Sequence, residues 1–418
     1  MAAKKKDVPA KASSEYRSKL AQAAILKNTG LKPLGEDNGP QPFVPSGSFI
    51  IDDMIGGTPT GNGKGPPICP GYPRKRISEV YGPEASGKTT AALHAIVSVQ
   101  KAGGVAMFLD FEHALNHNYA KKIGVKFDNN KTFMYYQPNT LEDGFKLIYI
   151  GIKAGIDLIV VDSVASMVPK AELLKKLDAA SAIGAQAREF SRQLPKVGIW
   201  LSEPPEHAPT GTALVLINQT RSMISSSGKG DTDNTSGGKA LKFYAYLRLK
   251  FTRIATETVE RKDKFTGKAR KYPFGNRTQV KVVKSKIDAK QGHCADIFIR
   301  YGMGIDDYYS TIESAVASKV VVRDGAMYKL GEAKIKGKDA FRTYLIENPK
   351  TFASLQKSVL DALRAADTIP DEDLEEDDEI GSVDAAMEEA ADDDMSDSGE
   401  EVTLDTEEVV MEEAAADA

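Results

Sequence analysis

The feature that most constrains this chain is eight residues long: Gly82-Pro83-Glu84-Ala85-Ser86-Gly87-Lys88-Thr89. Two glycines bracket four residues and are followed at once by a lysine and a hydroxyl residue, the pattern of a phosphate-binding loop. Such a loop works between a strand and a helix, where its backbone N–H groups and the helix N-terminus together hold phosphate oxygens. The context here fits. Residues 77–81 form a short apolar run, and residues 89–102 read as a helix ended by Gly103-Gly104. In that setting Lys88 bridges the outer phosphates of a nucleotide and the Thr89 hydroxyl holds Mg²⁺.

The surrounding pattern is regular. Residues 105–111, 132–137, 158–161 and 214–218 read as strands, with helices near Tyr119 and over 141–154. Continuous apolar strands alternating with helices predict an α/β fold, with a parallel sheet covered on both faces. Beyond residue 240, strands expected at 241–254 and 279–287 have little helix between them, which suggests an antiparallel extension of the same sheet. Residues 13–29 read as one amphipathic helix stopped by Gly30. Residues 56–73 hold 11 Gly and Pro in 18 positions, an irregular loop. The expected division is 1–45 as helix and linker, 46–288 as the core, 289–370 as a small α/β domain and 371–418 as a tail.

Charge divides the chain just as sharply. Of its 418 residues, 371–418 carry 23 acidic side chains and no Lys or Arg. The remainder carries 55 basic against 36 acidic side chains, a net of +19. A basic body with an acidic tail points to a polyanionic partner; the alternative is a tail that only solubilises. The tail cannot bury a core and is expected to be disordered. With only Cys69 and Cys294, neither a disulfide framework nor a four-thiolate zinc site can be built. The basic start lacks the apolar stretch of a secretory signal, and no run approaches the ~18 apolar residues of a membrane helix. A cytoplasmic protein without a membrane partner is expected.

Phosphate chemistry needs carboxylates as well. Asp162 leaves the apolar run Leu158-Ile159-Val160-Val161 and is placed to order the magnesium water shell. Glu112 follows the strand over 105–111; it either activates the attacking water or caps the next helix, and spacing alone leaves both open. His113 and His117 stand four apart with no third ligand in view and read as non-metal residues.

Several segments together resemble the bacterial RecA-type recombinase family. They are Tyr81-Gly-Pro-Glu-Ala-Ser-Gly-Lys-Thr-Thr90, Asp110-Phe-Glu-His-Ala-Leu115, Tyr119-Ala-Lys-Lys-Ile-Gly-Val125 and Val160-Val-Asp-Ser-Val-Ala165. Pro169-Lys-Ala-Glu172, Ile217-Asn-Gln-Thr-Arg221, Gly237-Gly-Lys-Ala-Leu-Lys-Phe-Tyr-Ala245 and Val280-Lys-Val-Val-Lys-Ser-Lys-Ile287 complete the set, in one order from about residue 31 to 350. The resemblance implies a RecA-like ATPase core, ATP on residues 82–89 with Thr90, and Mg²⁺ on Thr89 and Asp162. It further implies Glu112 as the water-activating carboxylate, Tyr119 stacking on adenine, and Gln219 sensing the γ-phosphate. Lys284 and Lys286 would reach a neighbouring subunit's ATP; without the resemblance they read as a solvated strand face with Lys281. Two DNA loops are implied, one over 174–188 with Ile183, Gly184 and Arg188, the other over 221–238 with Arg221, Gly237 and Gly238. By composition alone the second loop reads as a plain flexible connection. The expected function is a DNA-dependent ATPase that self-associates into a helical filament on single-stranded DNA and exchanges strands with duplex DNA. The N-terminal helix and Leu31-Lys-Pro-Leu-Gly35 resemble the element that packs on the adjacent subunit. The rival readings are a ring motor or regulatory ATPase of the same fold, and a non-catalytic DNA-binding filament protein.

The chain also departs from the family pattern. The second DNA loop lacks an aromatic residue and is about one residue longer, Ile183 replaces a more usual Met, and Asn116 stands where Asp is frequent near adenine. Residues 57–73 and 203–211 look inserted.

Overall fold

Residues 158–161 show why a central sheet forms here. Leu158 and Val160 join the apolar cluster that contains Ala91, Leu93 and Ile96 of the helix Lys88–Lys101. Ile159 and Val161 join the opposite cluster, built on the helices Leu141–Lys153 and Ala185–Ser202. Ala106, Phe108, Met107 and Leu109 divide in the same way. A strand apolar on both faces is stable only when helices cover both.

The computed structural model describes residue 18 and residues 41–57, 69–128, 130–174, 184–221, 234–263, 267–287 and 291–367. The expected N-terminal helix (apart from Ser18), the 31–35 segment, Ile183, residues 222–233 and the acidic tail lie outside them. The main sheet has ten strands. Six run parallel in the order Phe133–Tyr136, Ala106–Asp110, Leu158–Asp162, Ala213–Arg221, Arg76–Gly82 and Leu247–Lys262. Antiparallel strands Ala269–Ser285, Cys294–Arg300 and Gly304–Ile305 extend it beyond Leu247–Lys262. The short strand Asn234–Thr235 pairs with Thr220 and Arg221.

Helices begin where capping chemistry places them. Thr140 accepts the Asp143 N–H at 3.0 Å and so opens Leu141–Lys153, satisfying one of the amides a helix start leaves bare. Asn116 does the same for His117–Ile123 through the Tyr119 N–H at 3.0 Å.

The structure moves two sequence expectations. Residues 241–244, expected in a strand, belong to the helix Gly238–Tyr244, and the strand starts at Leu247. The expected division at 288–289 cuts the main sheet, because Cys294–Arg300 pairs with Ala269–Ser285 from Lys281↔Cys294 to Gly275↔Arg300. The main sheet therefore runs on to Ile305. Beyond it, Asp307–Ala317, a three-stranded antiparallel sheet and the helices Lys338–Glu347 and Pro349–Asp367 follow. Ile312, Phe341, Leu345 and Val359 form a core of their own there.

Residues 203–211 sit at the edge of the sheet where the parallel strands begin. Arg74 donates to the Gly211 carbonyl at 2.8 Å and pairs with Asp157 at 2.8 Å, just before two strand starts. This segment therefore lies at the end of the sheet away from the phosphate loop.

Candidate nucleotide and DNA site

The phosphate loop leaves the strand Arg76–Gly82 at the carboxyl edge of the parallel sheet. From there the chain passes through helix Lys88–Lys101 to Ala106–Asp110, skipping two sheet positions. Ligands of open parallel sheets bind in the crevice that such a divergence leaves. Gly82 takes φ 154°, and a Cβ on it would lie 2.0 Å from the Phe251 carbonyl oxygen. No side chain fits at that position. Lys88 is buried, and its Nζ donates to the carbonyls of Gly82 (3.0 Å) and Pro83 (2.6 Å), with Ser86 Oγ at 3.4 Å. Burial holds its ammonium below the usual lysine pKa, opposed by the nearby charges of Asp162, Glu112 and Glu84. The amine therefore sits inside the loop, in the concavity that faces phosphate oxygens.

Thr89 Oγ1 donates to Asp162 Oδ2 at 2.6 Å. Burial pushes the Asp162 carboxyl up to about 7, with the Thr89 hydrogen bond working against it. A hydroxyl and a carboxylate oxygen side by side are the hard donors that Mg²⁺ takes, so the pair fits this ion.

Glu112 extends from the end of Ala106–Asp110 and is anchored twice at one oxygen. Ser163 Oγ donates to Oε1 at 2.5 Å, and Gln219 Nε2 donates to the same atom at 2.8 Å. The ends of three adjacent strands thus converge on one exposed carboxylate. The helix-cap alternative for Glu112 falls away, because the next helix is capped by Asn116.

A cleft of about 240 Å³ opens beside the loop, lined by Ala85, Gly87, Thr90, Tyr119, Asn276 and Tyr301 among others. The Tyr119 hydroxyl lies 3.0 Å from Thr90 Oγ1, and the Tyr301 hydroxyl donates to Asn276 Oδ1 at 2.6 Å. Two tyrosines on a cleft next to the phosphate loop supply flat surfaces for a base. His117 packs against Phe127 and Tyr135, with ring centroids 5.1 Å from each. No cluster of three or more His, Cys, Asp or Glu side chains suited to a metal ion occurs among the described residues.

The stems of both expected DNA loops come together. Gly184 caps Ala185–Ser202, and exposed Arg188 lies one turn in, its N–H bonded to the Gly184 carbonyl at 2.9 Å. Arg221 pairs through its backbone with Asn234, which closes the base of the second loop. Gly237 caps Gly238–Tyr244, and a Cβ on Gly238 would come 2.9 Å from Ala187 Cβ. Lys284 Nζ donates to the carbonyls of Lys242 (2.8 Å) and Phe243 (2.9 Å) at the far end of that helix. Lys286 Nζ lies 6.0 Å from the centre of the Phe243 ring. Both lysines are thus engaged within their own chain.

Sequence reasoning missed four groups. Ser163 carried no signal beyond following Asp162. Asn276 and Tyr301 reach the cleft from the antiparallel extension, far along the chain. Glu79 is a charged residue in an apolar strand, and that anomaly was the signal available. Its carboxylate is fully buried and pairs with Arg248 at 2.5 Å.

A parallel sheet with this loop, an adjacent hydroxyl–carboxylate pair and a carboxylate held opposite is the architecture of a phosphate-loop nucleotide-binding protein. The RecA N-terminal domain family matches residues 41–306. Protein RecA of Kineococcus radiotolerans is 39% identical over 364 residues, which is 85% of this chain and 94% of that protein. Protein RecA of Enterococcus faecalis is 38% identical over 326 residues, covering 78% and 84% of the two. The crystal structure of the RadB recombinase aligns with TM-score 0.40 at 17% identity, over 57% of this chain and 92% of that one. The chain belongs to the RecA family, and its function is that of a DNA recombinase, in recombination and repair. No helix among the described residues is long and apolar enough to cross a membrane.

Proposed function

We propose that this chain hydrolyses ATP with Mg²⁺ while assembled as a helical filament on single-stranded DNA, and that it pairs that strand with homologous duplex DNA. One observation carries the reading: Gln219 holds Glu112 at 2.8 Å, and its strand continues through Arg221 into the second loop. Hydrolysis and DNA engagement thus meet in a single side chain.

The residues divide the work. Lys88 and the loop amides bind phosphate, and Thr89 and Asp162 hold the metal. Mg²⁺, when bound, draws off negative charge that develops on the transferred phosphoryl group. Glu112, with one oxygen occupied by Ser163 and Gln219, takes the proton of the attacking water at the other. Tyr119, with Tyr301, holds the base. Lys284 and Lys286 add positive charge at a neighbouring subunit's phosphates. Ile183, Gly184, Arg188, Arg221, Gly237 and Gly238 form the DNA-contacting loops; backbone amides and Arg side chains there suit a phosphate backbone. Head-to-tail contacts that do not close extend the assembly into a filament.

ATP turnover measured with and without single-stranded DNA, with electron microscopy of the same samples, tests the reading. DNA-stimulated turnover and helical filaments are expected. Closed rings with turnover independent of single-stranded DNA would replace it with the ring-motor reading.

A further inference from the structure

We infer that Glu79 is a positioning residue that couples the nucleotide site to the second DNA loop by fixing the side chain of Asn218. The inference rests on the proposed function and deepens it.

Glu79 stands three residues before the phosphate loop, in the middle of the main sheet, with no exposed surface. Its neighbours in register are Leu216 on one side and Arg248 on the other. The two carboxylate oxygens have separate duties. Oε2 accepts from Arg248 Nε at 2.5 Å, and Oε1 accepts from Asn218 Nδ2 at 2.9 Å. Arg248 is itself buried and lies over the Tyr81 ring, 4.6 Å from its centre. Its Nη2 is buried without a hydrogen-bond partner among the described residues.

Stability alone gives little reason for such a pair. A buried ion pair seldom outweighs its own desolvation, and apolar residues of similar size often replace one without loss. What the pair adds is geometry at Asn218, which is fully buried. Asn218 Nδ2 donates to Glu79 and to the Ser236 carbonyl at 2.8 Å, while Oδ1 accepts the Gln219 N–H at 2.9 Å. Both amide hydrogens and the amide oxygen are therefore engaged at once. Through these bonds Asn218 ties the backbone of Gln219, whose side chain holds Glu112, to Ser236, the residue before Gly237. Glu79 fixes the rotation of that amide. Without it, Asn218 keeps its bond to Ser236 but loses the strut that sets its plane. The two ends of the second loop then move independently of the carboxylate.

The test uses the full chain as wild type, Glu79→Gln, Asn218→Ala and the double variant Glu79→Leu with Arg248→Met. The double variant removes both charges and so leaves no unpaired buried ion. Affinity for a fluorescein-labelled single-stranded oligonucleotide is measured with ADP and with a slowly hydrolysed ATP analogue. The ratio of the two affinities is the coupling between the sites. The double variant is expected to lower that ratio about tenfold, and Glu79→Gln, whose amide oxygen can still accept from Asn218, to lower it less, while affinity for the analogue changes by less than about threefold. Adding Asn218→Ala to the double variant should lower it no further, since both act through one contact. A wild-type ratio retained by cooperatively folded variants overturns the inference alone, as does a loss of analogue affinity equal to the loss of coupling. A wild-type ratio near one overturns the proposed function and the inference with it.

Discussion

In the proposed mechanism Lys88 and Glu112 serve the same phosphates at different moments, and substitutions should separate them. Lys88 Nζ lies in the loop concavity on the Gly82 and Pro83 carbonyls and in the proposed mechanism contacts phosphate in the ground state, so Lys88→Ala should weaken nucleotide binding itself. Glu112 is proposed to act on water as the reaction proceeds, so Glu112→Gln should bind ATP normally yet lower turnover by about a hundredfold or more. Equilibrium binding and steady-state hydrolysis on the same protein distinguish the two; normal turnover by Glu112→Gln would remove its assignment. Ser163 offers a finer test. Ser163→Ala deletes the 2.5 Å bond to Glu112 without touching the loop. A hydrogen bond to a charged group is worth about 1.5–3 kcal/mol, so kcat should fall roughly tenfold or more with KM nearly unchanged. At this scale the sequence was legible where a residue sits in a fixed spacing, as Lys88 and Thr89 do. Glu112 stayed ambiguous because acidic residues also cap helices, and only the observed Asn116 cap separates the two readings. Ser163 was hidden because its role depends on a strand 51 residues away in sequence.

The helix Gly238–Tyr244 shows where local pattern misleads. Leu241, Phe243, Ala245 and Leu247 alternate with polar or amphipathic residues, the period of a strand. In the fold Leu241 is buried and Phe243 is 70% exposed, so the alternation does not report burial over this stretch. Two contacts decide the outcome instead, and both are distant in sequence: Gly238 packs against Ala187, and Lys284 binds the last carbonyls. A cation at a helix C-terminus is favourable in its own right. Gly238 takes φ 69°, where a branched side chain is strained, and its Cβ would meet Ala187 at 2.9 Å. Gly238→Val should therefore destabilise the fold by about 1–3 kcal/mol, read as a lower unfolding midpoint in urea. It should also weaken single-stranded DNA binding, because the same helix carries the end of the second loop. An unchanged midpoint together with unchanged DNA affinity would show that this helix does not set the loop.

For the molecule as a whole, the alternation of strands and helices was legible because parallel strands are apolar on both faces and their spacing is local. The far extent of the sheet was not, since Cys294–Arg300 and Gly304–Ile305 join it by pairing rather than by any distinctive composition. Assembly raises the next question of scale. Lys284 and Lys286 are bound within their own chain, and their proposed action across a subunit boundary requires Lys284 to give up the carbonyls of Lys242 and Phe243. Lys284→Ala with Lys286→Ala should leave ATP binding nearly intact and lower DNA-stimulated hydrolysis by about a hundredfold or more. Mixing it with Glu112→Gln should restore activity at boundaries that combine one intact set of each, and demonstrated co-assembly without recovery would rule out the action in trans. The last test concerns charge alone. Residues 371–418 carry 23 carboxylates against a body of net +19, and we propose that they compete with DNA phosphates for basic side chains of that body. Such competition is screened by salt, and Mg²⁺ weakens it by binding carboxylates. Truncation after Pro370 should therefore speed binding to duplex DNA and lower the magnesium needed for strand exchange. ATPase constants on saturating single-stranded DNA should stay the same, since every proposed nucleotide-site residue precedes residue 371. Duplex-binding rates of the full-length and truncated proteins across a magnesium titration decide the matter. The curves should separate at low magnesium and converge at high; curves that overlap throughout would leave the tail only a role in solubility.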